Sequence, residues 1–329
     1  MTKSGMLIVD GVTKRYPGAD VEAVSNLSFA LPKGSICGFI GPNGAGKTTT
    51  MRICSTLEMP DLGDVWVDGF SVLEYPDEVR KRIGFMPDAF PIDPAVLVKD
   101  MLEFFGRAHG LWGEELRTMT ESVVAFTTLQ DLLSKPFGAL SKGMKQRAAL
   151  ATVLMHDPQL LILDEPAAGL DPRARVELRT LLQLLAEQGK TILISSHILA
   201  ELTEICTHAV VIEQGKLKAD RSLLSGTNIE TGNQIDTEGG SGVRVVSTNL
   251  YLETLENAEF VCQLLPKIKG VLSCQPHDEG IVLLFEGDRE AQAMLLKNLV
   301  EQGVQPVRFV EQKMDLEDLF LSLTEGNVQ

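Results

Sequence analysis

No stretch of the sequence approaches the roughly 18–20 consecutive apolar residues that a helix needs to cross a bilayer. Its start, MTKSGMLIVDGVTK, is not a signal peptide. A cytoplasmic location is expected, with any membrane crossing supplied by another polypeptide. Basic residues are in deficit: 30 Lys and Arg stand against 45 Asp and Glu, for a net charge of −15. Phosphate contacts along a nucleic acid need a basic surface, so no nucleic-acid partner is expected. The five cysteines (Cys37, Cys54, Cys206, Cys262, Cys274) show neither C-x-x-C pairing nor metal-ligand spacing, and the five histidines are scattered. Both facts argue against a metal cluster. The remaining composition is that of a globular chain, 44% hydrophobic and 23% charged, with room in 329 residues for one large domain and one small one.

What the sequence does have is GPNGAGKTT, Gly41 to Thr49, between the apolar run Ser35–Ile40 and a segment able to continue as a helix. Gly41, Gly46, Lys47 and Thr48 fit the phosphate-binding pattern G-x-x-x-x-G-K-[ST]. Glycines let successive backbone N–H groups turn inward around phosphate oxygens, and the following helix N-terminus adds positive potential. The Lys47 ammonium can reach β- and γ-phosphates, and the Thr48 hydroxyl can ligate Mg²⁺. A nucleoside triphosphate is therefore the expected ligand.

The rest of the chain alternates strands and helices. Met6–Val12 and Glu22–Leu31 read as strands, separated by a turn that carries Tyr16. Gly63–Gly69 reads as a strand entering an Asp-Gly turn, and Lys81–Asp88 contains a short strand broken by Pro87. Residues 96–134 change to helical periodicity (Leu102, Phe105, Leu111; Leu116, Met119, Val123, Phe126), as a helical subdomain of about 88–157 inserted in an α/β core requires. Leu160–Pro166 is an uninterrupted apolar strand with Asp164 and Glu165 at its end, and Thr191–His197 is a second. Asp171 and Pro172 are placed to start a helix that Gly189 ends. Ser225–Gly242, polar and rich in Gly, Ser and Thr, reads as a flexible linker between residues 1–224 and 243–329. Beyond it the sequence predicts β-α-β-β-α-β, the order of a ferredoxin-like unit, with a helix over Leu252–Ile268 and a last amphipathic helix over Asp315–Leu323.

With Leu160–Pro166 in hand, residues 6–220 resemble the nucleotide-binding subunit of an ATP-binding cassette (ABC) transporter: a P-loop NTPase fold with an α/β core, an antiparallel β-subdomain and an inserted helical subdomain. GPNGAGKT resembles the family's Walker A motif and LLILDEP its Walker B. Leu140-Ser141-Lys142-Gly143-Met144 is similar to the signature sequence, usually LSGGQ; Ala168–Asp171 resembles the D-loop, and His197 the switch histidine. Tyr16 stands at the adenine-stacking position.

The resemblance implies an ATPase using ATP and Mg²⁺. Gly41, Pro42, Asn43, Gly44, Ala45, Gly46, Lys47, Thr48 and Thr49 would surround the phosphates. Asp164 would join Thr48 at the metal, and Glu165 would orient or deprotonate the attacking water, with His197 contacting the γ-phosphate. It also implies a dimer, homo- or hetero-, because each ATP is sandwiched between one subunit's Walker A and the other's signature; Ser141, Gly143 and Asp171 would act across that interface. A separately encoded permease would complete the transporter, with this subunit on the cytoplasmic face of the membrane. Two departures stand out. Asp88 replaces the usual Q-loop glutamine, where its carboxylate can still accept from metal-bound water, and Lys142 and Met144 alter the signature. Both occur in a subgroup of bacterial export cassettes whose tail the run Asp315–Phe320 also resembles. A soluble ABC ATPase acting on ribosomes or DNA is the competing reading; such proteins usually fuse two cassettes, and this sequence has one.

Overall fold

Period-two alternation builds the first layer. Along β2 (Val24–Leu31), Leu27, Phe29 and Leu31 are buried while Asn26, Ser28 and Ala30 face outward. β2 pairs antiparallel with β1 (Leu7–Lys14), setting Leu31 opposite Leu7. On the other edge of β1 runs β4 (Leu62–Val67), also antiparallel, and the short β5 (Phe70–Ser71) completes the order β2-β1-β4-β5. The computed structural model describes residues 5–196, 202, 205–222, 247–277 and 280–311. It divides into two units, the first reaching Ala219 and the second beginning at Asp220.

The second layer is a six-stranded sheet built from apolar runs. Its members are β3 (Ile36–Ile40), β6 (Ile83–Met86), β7 (Leu160–Leu163), β8 (Thr191–Ser196), β9 (His208–Glu213) and β10 (Lys216–Ser222). The order is β10-β9-β3-β8-β7-β6, with β9, β3, β8, β7 and β6 running parallel. Every residue of β3, β7 and β8 is buried, which is why these strands read as continuous hydrophobic runs rather than alternating ones. One apolar cluster joins the layers: Phe29 and Leu31, Val65 and Val67, Phe39, Ile162 and Leu193, with Met51 and Ile53 from the helix α1 (Lys47–Cys54). The Phe29 and Phe39 rings meet across it at 5.4 Å.

A short α2 (Pro76–Arg80) precedes β6, an element the periodicity did not reveal. Between β6 and β7 the chain inserts α3 (Val98–Ala108), α4 (Gly113–Phe126) and α5 (Lys142–Leu154), matching the expected helical insertion. Residues Ala148–Leu154 of α5 are all buried, which accounts for their Ala and Leu content. After β7 comes α6 (Pro172–Glu187), which starts as the sequence predicts: the Asp171 carboxylate accepts from the Ala174 N–H at 2.9 Å. Among the described residues no helix is long and apolar enough to cross a membrane.

The second unit holds β11 (Ser247–Thr254), α7 (Ala258–Leu264), β12 (Val271–His277), β13 (Gly280–Glu286), α8 (Arg289–Glu301) and β14 (Pro306–Glu311). The sheet order β12-β13-β11-β14, antiparallel at every pairing, is the ferredoxin-like arrangement. One expectation is corrected: Leu252 belongs to β11, not to a helix. Leu250 and Leu252 are both buried with Tyr251 between them on the other face, a period of two, and the helix begins only where Asn257 caps Glu259 N–H at 2.8 Å. Residues 225–242 and 315–323, expected as linker and last helix, lie outside the described residues.

Candidate active site

The loop between β3 and α1 is shaped by close backbone approach. Gly46 sits at φ 98° as the N-cap of α1, and a Cβ there would lie 2.4 Å from the Ala23 carbonyl oxygen. A Cβ on Gly41 would lie 2.4 Å from the Ile212 carbonyl oxygen. Only glycine fits either position. Ala45 is buried and anchors the loop through Gly215 N–H to Ala45 O at 3.0 Å, while Pro42, Asn43 and Gly44 form an exposed crest. The loop is thus pinned at both ends and open at its tip.

Lys47, 7% exposed, turns its ammonium back under that crest and donates to Gly41 O at 2.6 Å and Pro42 O at 3.2 Å. Burial lowers its pKa, opposed by the negative charges of Glu165 and Asp164; Glu165 Oε1 lies 3.9 Å from the ammonium. Thr48, the second residue of α1, is exposed and donates from its hydroxyl to Asp164 Oδ2 at 2.8 Å. Thr49 follows, half-buried, with its hydroxyl 3.3 Å from that of Tyr16.

Asp164 and Glu165 leave β7 at its carboxyl end, where open α/β sheets bind ligands. Asp164 is buried, and both oxygens are engaged: Oδ2 by Thr48 and Oδ1 by the Ser195 hydroxyl at 2.7 Å. The Ser195 oxygen in turn accepts the Glu165 N–H at 2.8 Å. Glu165 itself occupies φ 49°, a left-handed conformation that costs a non-glycine residue of order 1 kcal/mol or more and is held here by its neighbours. Ser195 was not singled out by its sequence, although two serines closing an apolar strand were a visible signal. The arrangement fixes one carboxylate through two donors and leaves the next one, partly exposed, beside a buried cation.

The other expected residues fall into two groups. Asp88 is exposed just past β6, the strand beside β7, so it shares the carboxyl edge with Asp164. Tyr16, 38% exposed, donates its hydroxyl to Glu58 Oε2 at 2.9 Å. Ser141, Gly143 and Asp171 lie on the facing ends of α5 and α6. Ser141 caps α5 by a long 3.4 Å bond from Met144 N–H, Asp171 caps α6, and a Cβ on Gly143 would come within 2.8 Å of Ala174 Cβ. Gln146, which the sequence reading passed over, is 8% exposed and donates to the Pro166 carbonyl at 2.8 Å, tying α5 to the loop after Glu165. His197 lies outside the described residues.

Comparison with known proteins agrees with this geometry. Residues 24–168 match the ABC transporter family. The chain is 32% identical over 320 residues to Nod factor export ATP-binding protein I of Ralstonia nicotianae, covering 97% of this chain and 94% of that protein. Among solved structures it resembles cbiO1 of Clostridium perfringens, part of the ABC transporter complex cbiONQ, at TM-score 0.60 and 26% identity over 67% of this chain and 89% of that one. It has the fold of a dimeric ATP-binding cassette captured after hydrolysis with ADP and Pi, at TM-score 0.61 and 24% identity over 66% of this chain and 98% of that one. A P-loop fold, a Walker-type carboxylate pair and full-length similarity to a transporter ATPase converge: the chain belongs to the ABC transporter family, as an ATP-binding subunit that hydrolyses ATP.

Proposed function

We propose that this subunit drives a separately encoded membrane permease by ATP-dependent closure of two cassettes, working on the cytoplasmic face of the membrane. The observation that carries the reading is the chain of contacts from Thr48 through Asp164 and Ser195 to Glu165, set beside the phosphate loop. Export is the direction named for the 32% relative, and we extend it to this chain.

The residues fit Mg²⁺. Adjacent ligands of an octahedral ion with metal–oxygen distances of about 2.1 Å lie about 3 Å apart. Thr48 Oγ1 and Asp164 Oδ2 are two hard oxygen donors 2.8 Å apart. They would hold the ion, directly or through water, with Asp88 reaching its hydration shell. When bound, the ion neutralises charge on the β- and γ-phosphates.

The protein's own groups do the rest. Lys47 exchanges its two carbonyl acceptors for phosphate oxygens, which bind an ammonium more strongly. Gly46 and its neighbours present backbone N–H groups to the phosphates, and the Tyr16 ring stacks on adenine. Glu165 accepts a proton from water as the new O–P bond forms; the bond to ADP breaks, releasing phosphate, with His197 contacting the transferred group. Ser141, Gly143 and Asp171 serve the nucleotide of the opposite cassette in a homodimer, or in a heterodimer with a second cassette.

Glu165→Gln tests the reading. Hydrolysis should fall by about 10²–10⁴-fold while ATP binding persists and ATP-dependent dimer accumulates on size exclusion. Tagged Glu165→Gln, purified from detergent-solubilised cells with ATP, should bring down a multi-span membrane protein. Hydrolysis at the parent rate would remove Glu165 from the role of base. Recovery of ribosomal or DNA-bound partners alone would overturn the transporter assignment.

A further inference from the structure

The ATPase chemistry leaves the second unit's two thiols unused. Three of the five cysteines, Cys37, Cys54 and Cys206, are buried in the first unit, and burial pushes the Cys54 thiol up to about 12. Such thiols are inert at neutral pH. Cys262 on α7 and Cys274 on β12 are each partly exposed. The Cys274 thiol donates to the Cys262 carbonyl oxygen at 3.4 Å, so its sulfur rests against the backbone of the other cysteine.

Both positions are held in place. Val261, next to Cys262, is fully buried, and Cys274 pairs across the sheet with fully buried Leu283. The end of α7, the tight turn Leu265–Lys267, residues 268–270 and the start of β12 separate them in sequence, and the 3.4 Å contact brings the Cys274 sulfur against Cys262 in space.

We propose that Cys262 and Cys274 are a reversible dithiol–disulfide pair, oxidised by low-molecular-weight disulfides, that cross-links α7 to β12. In the first step the Cys274 sulfur, having given its proton to solvent, attacks one sulfur of the small disulfide. A mixed disulfide forms on Cys274 and one small thiolate leaves. Cys262 then loses its proton and attacks the Cys274 sulfur, expelling the second small thiolate. Two protein S–H bonds become one S–S bond, and the small disulfide is reduced to two thiols, which take up the two protons. Cys262 is suited to the second role: burial, with the neighbouring Cys274, pushes its pKa up to about 11 in the reduced pair and disfavours it as first attacker, and the contribution of Cys274 is lost once that sulfur carries the mixed disulfide. Closure quickens as pH rises, because the attacking species is the thiolate.

The test uses the full-length protein and glutathione disulfide. After incubation and alkylation of remaining thiols, peptide mapping should find a Cys262–Cys274 linked peptide, with Cys37, Cys54 and Cys206 alkylated as free thiols. Dithiothreitol should reverse the link. Native protein should lose both of its thiols that react with a thiol-specific dye, and the urea midpoint of the second unit should rise because its unfolded chain now carries a closed ring. In Cys262→Ser, Cys274 should instead retain a glutathione adduct, whereas in Cys274→Ser the surviving Cys262 should react much more slowly. A parent protein that keeps glutathione on Cys262 or Cys274 without forming the linked peptide, or in which neither cysteine reacts, would overturn the proposal.

Discussion

The two edges of the parallel sheet treat buried polar groups differently. At the carboxyl edge, Thr48, Asp164, Ser195 and the Glu165 N–H satisfy one another at 2.7–2.8 Å. At the amino edge, His156 donates from Nε2 to Ile83 O at 2.8 Å and stacks on His109 at 3.7 Å, but its buried Nδ1 has no hydrogen-bond partner among the described residues. Ser55 Oγ, nearby, shares that condition. Both residues line a groove of about 280 Å³ walled by Phe85, Phe90 and Phe105, which offer no donors. A satisfied network holds charge with its dipoles already aligned. An unsatisfied one resists taking up charge at all.

The largest effect should come from breaking the satisfied edge. Lys47→Met should cut ATP hydrolysis by about 10²–10³-fold or more, through loss of the cation proposed to meet the phosphates. Thermal unfolding of the same variant should change only modestly, because relief of the ammonium's desolvation offsets the loss of its bonds to the Gly41 and Pro42 carbonyls. A large drop in Tm would show that the cation holds the loop together, weakening the contrast.

The amino edge should reveal itself through pH. Burial pushes His156 down to about 4, with the Ile83 carbonyl opposing and His109 assisting, whereas the unfolded chain titrates near 6.5. As pH falls through 6.5 the unfolded state binds the proton first, so stability declines between 6.5 and about 4 and levels off below. The total should be about 2–3 kcal/mol after allowing for solvent screening. Urea unfolding at several pH values checks this, and His156→Gln should flatten the slope. An unchanged slope in that variant would place the acid sensitivity elsewhere.

Smaller effects should come from helix α5, one end of which lies beside the carboxyl edge. Gln146→Leu leaves the Pro166 carbonyl unpaired in the interior and should cost about 1–3 kcal/mol in urea unfolding. Ser141→Ala should cost at most about 1 kcal/mol, since its cap bond is already long at 3.4 Å. Its hydrolysis rate should nevertheless fall further than that loss explains if Ser141 contacts nucleotide on the opposite cassette. A rate that merely tracks folded fraction would confine Ser141 to capping.

How much was readable beforehand follows from sequence distance. The phosphate loop and the Asp164–Glu165 pair are local patterns, so spacing alone located them. Ser195 is 31 residues from Asp164, and the contact exists only because β7 and β8 lie side by side. Gln146 was hidden in an Ala/Leu-rich helix, 20 residues from the carbonyl it meets. In the second unit the order of elements was legible, yet the β11 to α7 boundary was not: Leu252 fits a helical stripe and an alternating strand equally well until its neighbours decide. Asp171 and Ser141 show the complementary difficulty. Capping explains both within one chain, and a role at a second cassette leaves no further mark on this one.

The bond from Gln146 to Pro166 has a kinematic consequence. A hydrogen bond tolerates only a few tenths of an ångström of stretch. Helix α5 therefore cannot roll or slide at that level without either parting from Pro166 or carrying it along. The helix tipped by Ser141 and the loop holding Glu165 share a degree of freedom: displacement imposed on one end of α5 is delivered, through a single amide, to the residue next to Glu165.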